Sequence, residues 1–189
     1  KKHHTALLCL PRTSSDMPSL GSLVSARGVG TLGLNPFICK DSTLYIIADR
    51  IQLYPEELYE KGMKVISIED IRWGRRDIKT VQLLYPSMGK MMAKAAGVDD
   101  AWMVEDGFVT EGSSNNAYIV DGEGTVITRH LGNEILHGIT RAAVLRFARE
   151  AQMKVEERSF TIDEAKQADE AFITSASTFV MPVVEIDGA

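Results

Sequence analysis

A carboxylate and four small hydrogen-bonding side chains stand together in the stretch Glu111-Gly112-Ser113-Ser114-Asn115-Asn116-Ala117-Tyr118. By composition alone this stretch is a polar turn. Around it, short apolar and β-branched runs predict strands over residues 101–105, 108–110, 117–120 and 125–128. Because Asp-Gly and Gly-rich turns separate these runs, we expect the four strands to form an antiparallel meander.

The rest of the second half mixes strands and helices. Alternating or β-branched runs predict further strands over residues 63–68, 171–175 and 180–186. Apolar residues at helical spacing predict a helix after Lys79 and another over 141–151, with the arginines of the second helix, Arg141 among them, facing solvent. Thr161 and Glu164 form a capping box that opens a short helix. The sequence therefore predicts a mixed α/β (α+β) fold with much antiparallel pairing.

The first 54 residues are less regular than the rest. Residues 5–10 fit either a helix or a strand, and a Pro-, Ser- and Gly-rich run over 11–22 predicts a loop. Strands are predicted over 23–26 and 43–48, with a glycine-rich loop over 27–36 between them. We place a domain boundary near Pro55, which separates a small N-terminal unit over 1–54 from a large unit over 55–189.

Composition excludes several classes of function. Of the 189 residues, 44% are hydrophobic and 25% charged, which suits a globular core, and the net charge of -5 disfavours a nucleic-acid or anionic-membrane binder. Two cysteines are too few for a disulfide framework and fit a reducing compartment, so we expect a cytoplasmic protein. No apolar run reaches the roughly 20 residues of a membrane span. The four histidines lack metal-ligand spacing, so we predict no metal site.

Lys79, Glu111 and residues 136–141 indicate a function only when they are considered together. A lysine between a strand and a helix, such as Lys79, is usually a solvated charge, and a helix start such as residues 136–141 is usually only capped. With Glu111, however, they supply an amine for a Schiff base, a carboxylate for a pyridine nitrogen and an anion cup at a helix N-terminus. A phosphorylated aldehyde cofactor needs all three groups.

With these residues in view, the sequence resembles the class IV aminotransferases, the fold-type IV enzymes that use pyridoxal 5'-phosphate. Their signature, E-x-S-x-x-N with a small and an aromatic residue, then apolar-x-T and apolar-x-G-apolar-x-basic, resembles residues 111–118, 126–128 and 136–141. Asp77-Ile78-Lys79 is similar to the segment with the Schiff-base lysine, and residues 69–73 are similar to D-amino-acid aminotransferases. Residues 171–183 resemble the strand and loop that close over phosphate and substrate.

The resemblance implies a role for each matching residue. Lys79 would form the Schiff base and shuttle the proton, and Glu111 would bond the pyridinium nitrogen. The other implied cofactor contacts are Ser114, Asn115, Leu136, Gly138, Ile139, Thr140, Ser175, Ala176 and Ser177. Of these, Ala176 stands where many relatives have a phosphate-binding threonine. The implied substrate contacts are Leu32, Leu34 and Ser177.

Proton transfer by Lys79 favours a partly buried site near positive charge. The nearest basic residues in the sequence are Arg72, Arg75 and Arg76. We therefore expect one of these arginines to face Lys79.

The resemblance implies a homodimer that moves an amino group by a ping-pong mechanism between a D-amino acid, such as D-alanine, and a 2-oxo acid. The loop over 27–36 instead is similar to branched-chain aminotransferases, since Leu32 and Leu34 stand near the places of a carboxylate-binding Arg and His. Three alternatives stay open: a branched-chain L-amino-acid aminotransferase, an aminodeoxychorismate-lyase-like enzyme and an inactive large-domain fragment. The last follows from an expected truncation at both ends, because residues 1–22 match no small-domain region with a phosphate-binding arginine.

Overall fold

The computed structural model of the chain describes residues 7–10, 19–27, 42–50 and 56–189. The chain divides into two compact units, Lys1–Tyr54 and Pro55–Ala189. In the first unit, three strands form an antiparallel sheet in the order β1-β2-β3, with bounds β1 (Leu7–Leu10), β2 (Ser19–Arg27) and β3 (Ser42–Arg50).

Two predictions for this unit are settled by the strand bounds. The segment that fitted a helix or a strand is a strand at Leu7–Leu10. The predicted loop over 11–22 is wrong at its end, because β2 begins at Ser19, opposite Arg50 in a nine-residue antiparallel register with β3. That cross-strand pairing outweighs the local turn composition. Leu32 and Leu34, with most of their glycine-rich loop, lie outside the described residues.

The second unit holds eight strands and four helices. Its helices are α1 (Glu56–Lys61), α2 (Leu84–Ala95), α3 (Ile139–Glu150) and α4 (Ile162–Gln167). Its strands are β4 (Met63–Glu69), β5 (Asp100–Glu105), β6 (Phe108–Gly112), β7 (Asn116–Val120), β8 (Val126–Thr128), β9 (Val155–Glu157), β10 (Glu170–Ser175) and β11 (Phe179–Ile186). They form one sheet in the order β6-β5-β4-β11-β10-β7-β8-β9. The predicted mixed α/β fold is confirmed.

The sheet is not the predicted meander, although the four strands predicted to form it, β5 to β8, occur close to where they are expected. β6 pairs with β5, whereas β7 pairs with β10 and β8, so consecutive strands β6 and β7 are not partners. Between them, the Ser113 N–H donates to the Ala101 carbonyl and the Gly112 N–H to that of Asn115. The first bond ties the turn to β5 and the second closes the turn itself. β7 instead gains two neighbours, which bury Tyr118 and Ile119 completely.

Aromatic side chains fill the core beside the polar stretch. Trp102 and Phe160 are fully buried and meet edge to face, with their ring centroids 6.1 Å apart. Tyr118 stacks on Phe172 at 4.5 Å, and its hydroxyl accepts a hydrogen bond from Thr174. Rings packed in this way hold β5, β7 and β10 rigidly.

In α2 and α3, the residues exposed to solvent differ from those that the sequence predicts to be exposed. α2 packs on the sheet through small residues, Gly89 and Ala93, while the apolar residues at helical spacing on its other faces, Leu84, Met88 and Met91, are exposed. On α3, Arg141 was predicted to face solvent but is buried, because Glu157 and the Arg129 carbonyl accept hydrogen bonds from its guanidinium.

The Thr161 half of the predicted capping box is confirmed, whereas the Glu164 carboxylate binds Arg158. Thr161 precedes α4, and its hydroxyl accepts a hydrogen bond from the Glu164 N–H at 3.1 Å. Among the described residues, no helix combines the length and the apolar character that crossing a bilayer requires.

Candidate active site

Glu111 lies in β6 with a buried carboxylate that three groups hold in place. Its Oε1 accepts a hydrogen bond from Arg72 Nη1 at 2.8 Å. Its Oε2 accepts one from the Leu136 N–H at 2.9 Å and one from Asn116 Nδ2 at 3.2 Å. An ionised carboxylate has about four acceptor sites, so this one keeps room for one further N–H donor.

The charges around Glu111 act in opposite directions. Burial raises the pKa of the Glu111 carboxyl, and the adjacent Arg72 guanidinium and the Leu136 N–H oppose that rise without cancelling it. Burial alone would lower the pKa of Arg72, but the Asp70 and Glu111 carboxylates raise it well above its usual range. Arg72 therefore keeps its positive charge. It lies beside Glu111, whose carboxylate accepts a hydrogen bond from the Leu136 N–H just before α3.

The polar residues after Glu111 are structural. Asp100 is buried and accepts hydrogen bonds from the Ser113 hydroxyl and, at 2.6 Å, from Asn115 Nδ2. Asn116 bridges Glu111 and the Leu136 carbonyl, the latter at 3.0 Å. The spacing E-x-S-x-x-N thus has a physical reason, since Ser113 anchors the turn and Asn116 orients the acid.

Close approach explains the glycine before α3. A Cβ atom at Gly138 would collide with Asn116 Oδ1, so only glycine lets the helix start come this near to the side chain beneath Glu111. Gly138 is the N-cap of α3 in an extended conformation and no side chain caps the helix. Within the described residues, nothing bonds to the N–H groups of Ile139 and Thr140, as is usual for a first turn.

A hydroxyl-rich turn lies against this helix start. The Thr140 hydroxyl donates to the Ser175 carbonyl at 3.0 Å, which joins α3 to the end of β10. The Ser175 hydroxyl in turn accepts hydrogen bonds from the N–H groups of Ser177, at 3.2 Å, and Thr178, at 2.9 Å. Helix N–H groups and hydroxyls in one place suit an anion such as phosphate. Thr178 adds a hydroxyl next to Ala176, 2.7 Å from that of Ser175.

Lys79 lies in a different environment from the one expected. It is exposed rather than partly buried, in a segment over 70–83 that has no helix or strand. Among the described residues, none forms an ion pair or a side-chain hydrogen bond with it.

The three arginines proposed to face Lys79 are engaged elsewhere. Arg72 is paired with Asp70 and Glu111, Arg75 with Asp77, and Arg76 with Glu105. The prediction that Lys79 is partly buried is therefore wrong for this structure. The three arginines that were candidates for the nearby positive charge each bind a carboxylate. The physical reason is that each guanidinium has a carboxylate within about 3 Å, and such pairs form in preference to contact with another cation.

The structure brings one group of predicted residues together and leaves others apart. Asn116 contacts Glu111 and Leu136 and lies against Gly138, and Leu136 also bonds Glu111 directly. Thr140, two residues after Gly138, bonds Ser175 separately. Ile139, Ala176 and Ser177 are their chain neighbours. Lys79 makes no described contact with this group, and Ser114 is exposed. The Asn115 side chain is turned toward Asp100 instead.

Sequence reasoning missed three residues of this group, namely Asn116, Thr178 and Asp70. The signal for Asn116 was present, because the motif E-x-S-x-x-N fixes position 116 and leaves 114 and 115 variable. Thr178 and Asp70 had no such signal. Within the described residues, no cluster of His, Cys, Asp or Glu could hold a metal ion.

Comparison with known proteins places these features in one family. The profile described as Amino-transferase class IV matches residues 21–186. Over 134 residues, 71% of this chain, the sequence is 42% identical to D-alanine aminotransferase from Bacillus licheniformis. Over 171 residues, 88% of this chain, it is 37% identical to a putative branched-chain-amino-acid aminotransferase from Methanocaldococcus jannaschii. The chain spans 47% and 58% of the lengths of these two relatives.

A solved structure shows the same architecture. A branched-chain amino acid aminotransferase from T.th., determined with pyridoxamine 5'-phosphate, superposes with a TM-score of 0.77 at 28% identity. The superposition covers 90% of this chain and 57% of that one. The fold-type IV architecture expected from the sequence is thereby confirmed.

Proposed function

The chain belongs to the class IV aminotransferase family, and from that membership we propose that it is the greater part of a pyridoxal 5'-phosphate-dependent aminotransferase. The observation that carries the proposal is Glu111: a buried carboxylate held by three donors, with one acceptor position left, beside an open helix N-terminus. In this proposal, residues 55–189 are the large cofactor-binding domain and residues 1–54 a remnant of the small domain.

The described residues fit the cofactor at its ring nitrogen and at its phosphate. The remaining acceptor position of Glu111 would take the ring N–H, and the carboxylate's charge would keep that nitrogen protonated. The N–H groups of Ile139 and Thr140, with the hydroxyls of Ser177 and Thr178, would hold the phosphate. When bound, pyridoxal 5'-phosphate supplies an aldehyde that captures amines and a protonated ring that accepts electron density.

Lys79 is the amine that we propose for the reaction. Its Nζ would carry the cofactor at rest and, once released by the incoming amino acid, would move the proton from the substrate's α-carbon. Among the described residues no carboxylate pairs with Lys79, so no ion pair has to be broken before its Nζ reacts. Ping-pong transfer follows, because the amino group leaves the donor before the 2-oxo acid binds.

For the substrate, we propose a D-amino acid such as D-alanine. The support is the identity of 42% with a D-alanine aminotransferase over the part of the chain that holds Lys79 and Glu111. A branched-chain L-amino acid is the second candidate, favoured by the relative that matches the longer stretch of 171 residues.

We also propose a cytoplasmic homodimer. Exposed apolar side chains before and along α2, namely Val81, Leu84 and Met91, support a partner surface, since exposed apolar patches mark interfaces. The two cysteines support a reducing compartment. Sedimentation equilibrium of the chain tests the assembly.

The central test is an absorbance spectrum of the purified chain with pyridoxal 5'-phosphate, before and after D-alanine, L-leucine or aminodeoxychorismate is added. We expect a Schiff-base band that depends on Lys79 and that D-alanine discharges fastest. Lys79→Ala should lack the band, whereas Lys94→Ala, a change at an exposed lysine on α2, should keep it.

Different results would point elsewhere. Faster discharge by L-leucine identifies the branched-chain enzyme, and pyruvate release from aminodeoxychorismate identifies the lyase. A band that survives in Lys79→Ala contradicts the lysine's role. Absence of any band in the unaltered chain supports the inactive fragment. Parallel double-reciprocal plots would establish ping-pong order.

A further inference from the structure

The side chains of Asp70 and Arg72 form a line of charges that ends at Glu111. Arg72 donates through Nε and Nη2 to the two oxygens of Asp70, at 2.9 and 2.7 Å, and through Nη1 to Glu111 at 2.8 Å. One guanidinium therefore bridges two carboxylates with three nitrogens. All three side chains are nearly inaccessible to solvent, with at most 12% of any of them exposed.

The far end of this line is anchored to the sheet. Asp70 follows β4 directly, and its N–H donates to the Val104 carbonyl at 2.7 Å. Its carboxylate also accepts a hydrogen bond from the Thr110 hydroxyl at 2.6 Å. Because Thr110 precedes Glu111 in β6, the contacts close a ring of four residues that starts and ends on the same strand. A closed ring of hydrogen bonds restricts the rotamers of every member.

We propose that Arg72, anchored by Asp70, is a positioning residue that holds the Glu111 carboxylate ionised and oriented for the cofactor's ring nitrogen. The proposal rests on the proposed function, in which Glu111 is the group that meets the cofactor. The other two donors to Glu111, Asn116 and the Leu136 N–H, are neutral. Among the described residues, Arg72 is thus the sole cation in contact with this acid.

The surrounding charges make Arg72 necessary for this purpose. Asp70 adds a second negative charge close to Glu111, and Arg76 lies 3.6 Å from Asp70 but is paired with Glu105. Without Arg72, Asp70 would keep its ion pair with Arg76, but the buried Glu111 carboxylate would have no cation in contact among the described residues, which favours its protonated form. A protonated Glu111 cannot keep the cofactor nitrogen charged.

The first test needs no cofactor. The ¹³C resonance of the Glu111 carboxyl is followed against pH in the unaltered chain and in Arg72→Gln, Arg72→Lys and Asp70→Asn. We expect the Glu111 titration to move to higher pH in Arg72→Gln and to stay near the original in Arg72→Lys, which keeps the charge. Arg146→Gln is the matched control, because Arg146 is exposed and pairs with Glu150 on the outside of α3.

The second test uses the chain with pyridoxal 5'-phosphate and separates orientation from charge. Arg72→Gln should lower kcat about 10- to 100-fold, the usual effect of losing a group that orients a reacting one, with little change in KM for the amino donor. Arg72→Lys should recover part of kcat, since an ammonium restores the charge but cannot bridge two carboxylates as a fork does. The pH profile of kcat should shift in Arg72→Gln alone.

Outcomes separate this proposal from the proposed function. A Glu111 titration and a kcat that are both unchanged in Arg72→Gln would overturn the role of Arg72, whatever the chain catalyses. If the unaltered chain forms no Schiff-base band, the proposed function fails, yet the carboxyl titration still decides whether Arg72 controls Glu111. Should Arg72→Gln not fold, Arg72→Lys and Asp70→Asn decide: a kcat equal to that of the unaltered chain in both contradicts positioning by the fork.

Discussion

Glu111 and Lys79, the two groups that the proposed chemistry needs most, stand in opposite surroundings. Glu111 is 5% exposed, and its carboxylate accepts hydrogen bonds from Arg72, Asn116 and the Leu136 N–H. Lys79 is exposed and makes no described side-chain contact. The acid belongs to a strand of the central sheet, whereas the lysine belongs to a segment that is neither helix nor strand.

The difference shows that contacts within the second unit fix Glu111 but do not fix Lys79. The segment before Lys79 is tied down at Arg76, whose N–H donates to the Asn133 carbonyl at 2.8 Å. Beyond it, Ile78 and Val81 leave apolar side chains in solvent. The described residues therefore hold the proposed acid in place but not the proposed amine.

Lys79→Ala should have the largest effect on activity and almost none on stability. Turnover should disappear, because Lys79 is the amine proposed to carry the cofactor, while the free energy of unfolding should change by less than about 0.5 kcal/mol, as is usual at exposed positions. An amino-transfer assay and urea denaturation measure the two effects. A large loss of stability would show that Lys79 has a structural contact.

Glu111→Ala should affect both properties. We expect turnover to fall by several orders of magnitude with the cofactor still bound, and stability to fall by roughly 3–5 kcal/mol, because the buried Arg72 loses one of its two carboxylates. Single-turnover spectra and urea denaturation provide the readouts. A normal rate would remove the proposed role of the acid.

Asn116→Ala should be milder. It removes one donor from Glu111 and leaves the Leu136 carbonyl unpaired, which should cost about 1–3 kcal/mol of stability and about tenfold in kcat. Asn115→Ala is the matched control, since its amide bonds Asp100 instead. We expect a similar loss of stability in that control but a smaller loss of kcat.

The dependence of the free energy of unfolding on pH should show the contribution of Asp70, the carboxylate that binds Arg72. Burial raises the pKa of Asp70, but the hydrogen bonds from Arg72 and Thr110 outweigh it and hold the pKa below its usual range. A carboxyl with a lowered pKa stabilises the fold above about pH 4, and that contribution is lost as the pH falls through its folded-state pKa. Asp70→Asn should therefore be less stable than the unaltered chain at neutral pH and closer to it in acid. Urea midpoints measured from pH 7 down to pH 3 test this.

Val81→Ser should have the smallest effect. Its side chain is 89% exposed near Lys79, so stability should change by less than about 0.5 kcal/mol. Ile127→Val, a smaller change at a buried position in β8, should cost about 1 kcal/mol. If Val81→Ser proves the more destabilising of the two, the segment around Lys79 is packed after all.

Local patterns predicted much of the fold but not its topology. The strands over 63–69, 100–105 and 116–120 and the Thr161 cap are encoded by side-chain alternation and short-range hydrogen bonds, which neighbours in the sequence decide. The pairing of β7 with β10 joins residues 50 to 58 positions apart, and turn chemistry at Gly112 carries no information about it. The burial of Arg141 likewise depends on Glu157, in a different element.

Residue order alone was enough to indicate the family and to single out Glu111 and Lys79 as candidates for the acid and the amine, because motifs are local. It did not place Glu111 in a strand, since the stretch after residue 110 is typical of a polar turn whereas β6 continues to Gly112. Only the tertiary structure decided that Asn116 and Arg72 hold Glu111, that Asn115 faces Asp100, and that Lys79 stays exposed. Those contacts depend on the distances between charged and polar groups from different parts of the chain. The order of residues does not contain those distances.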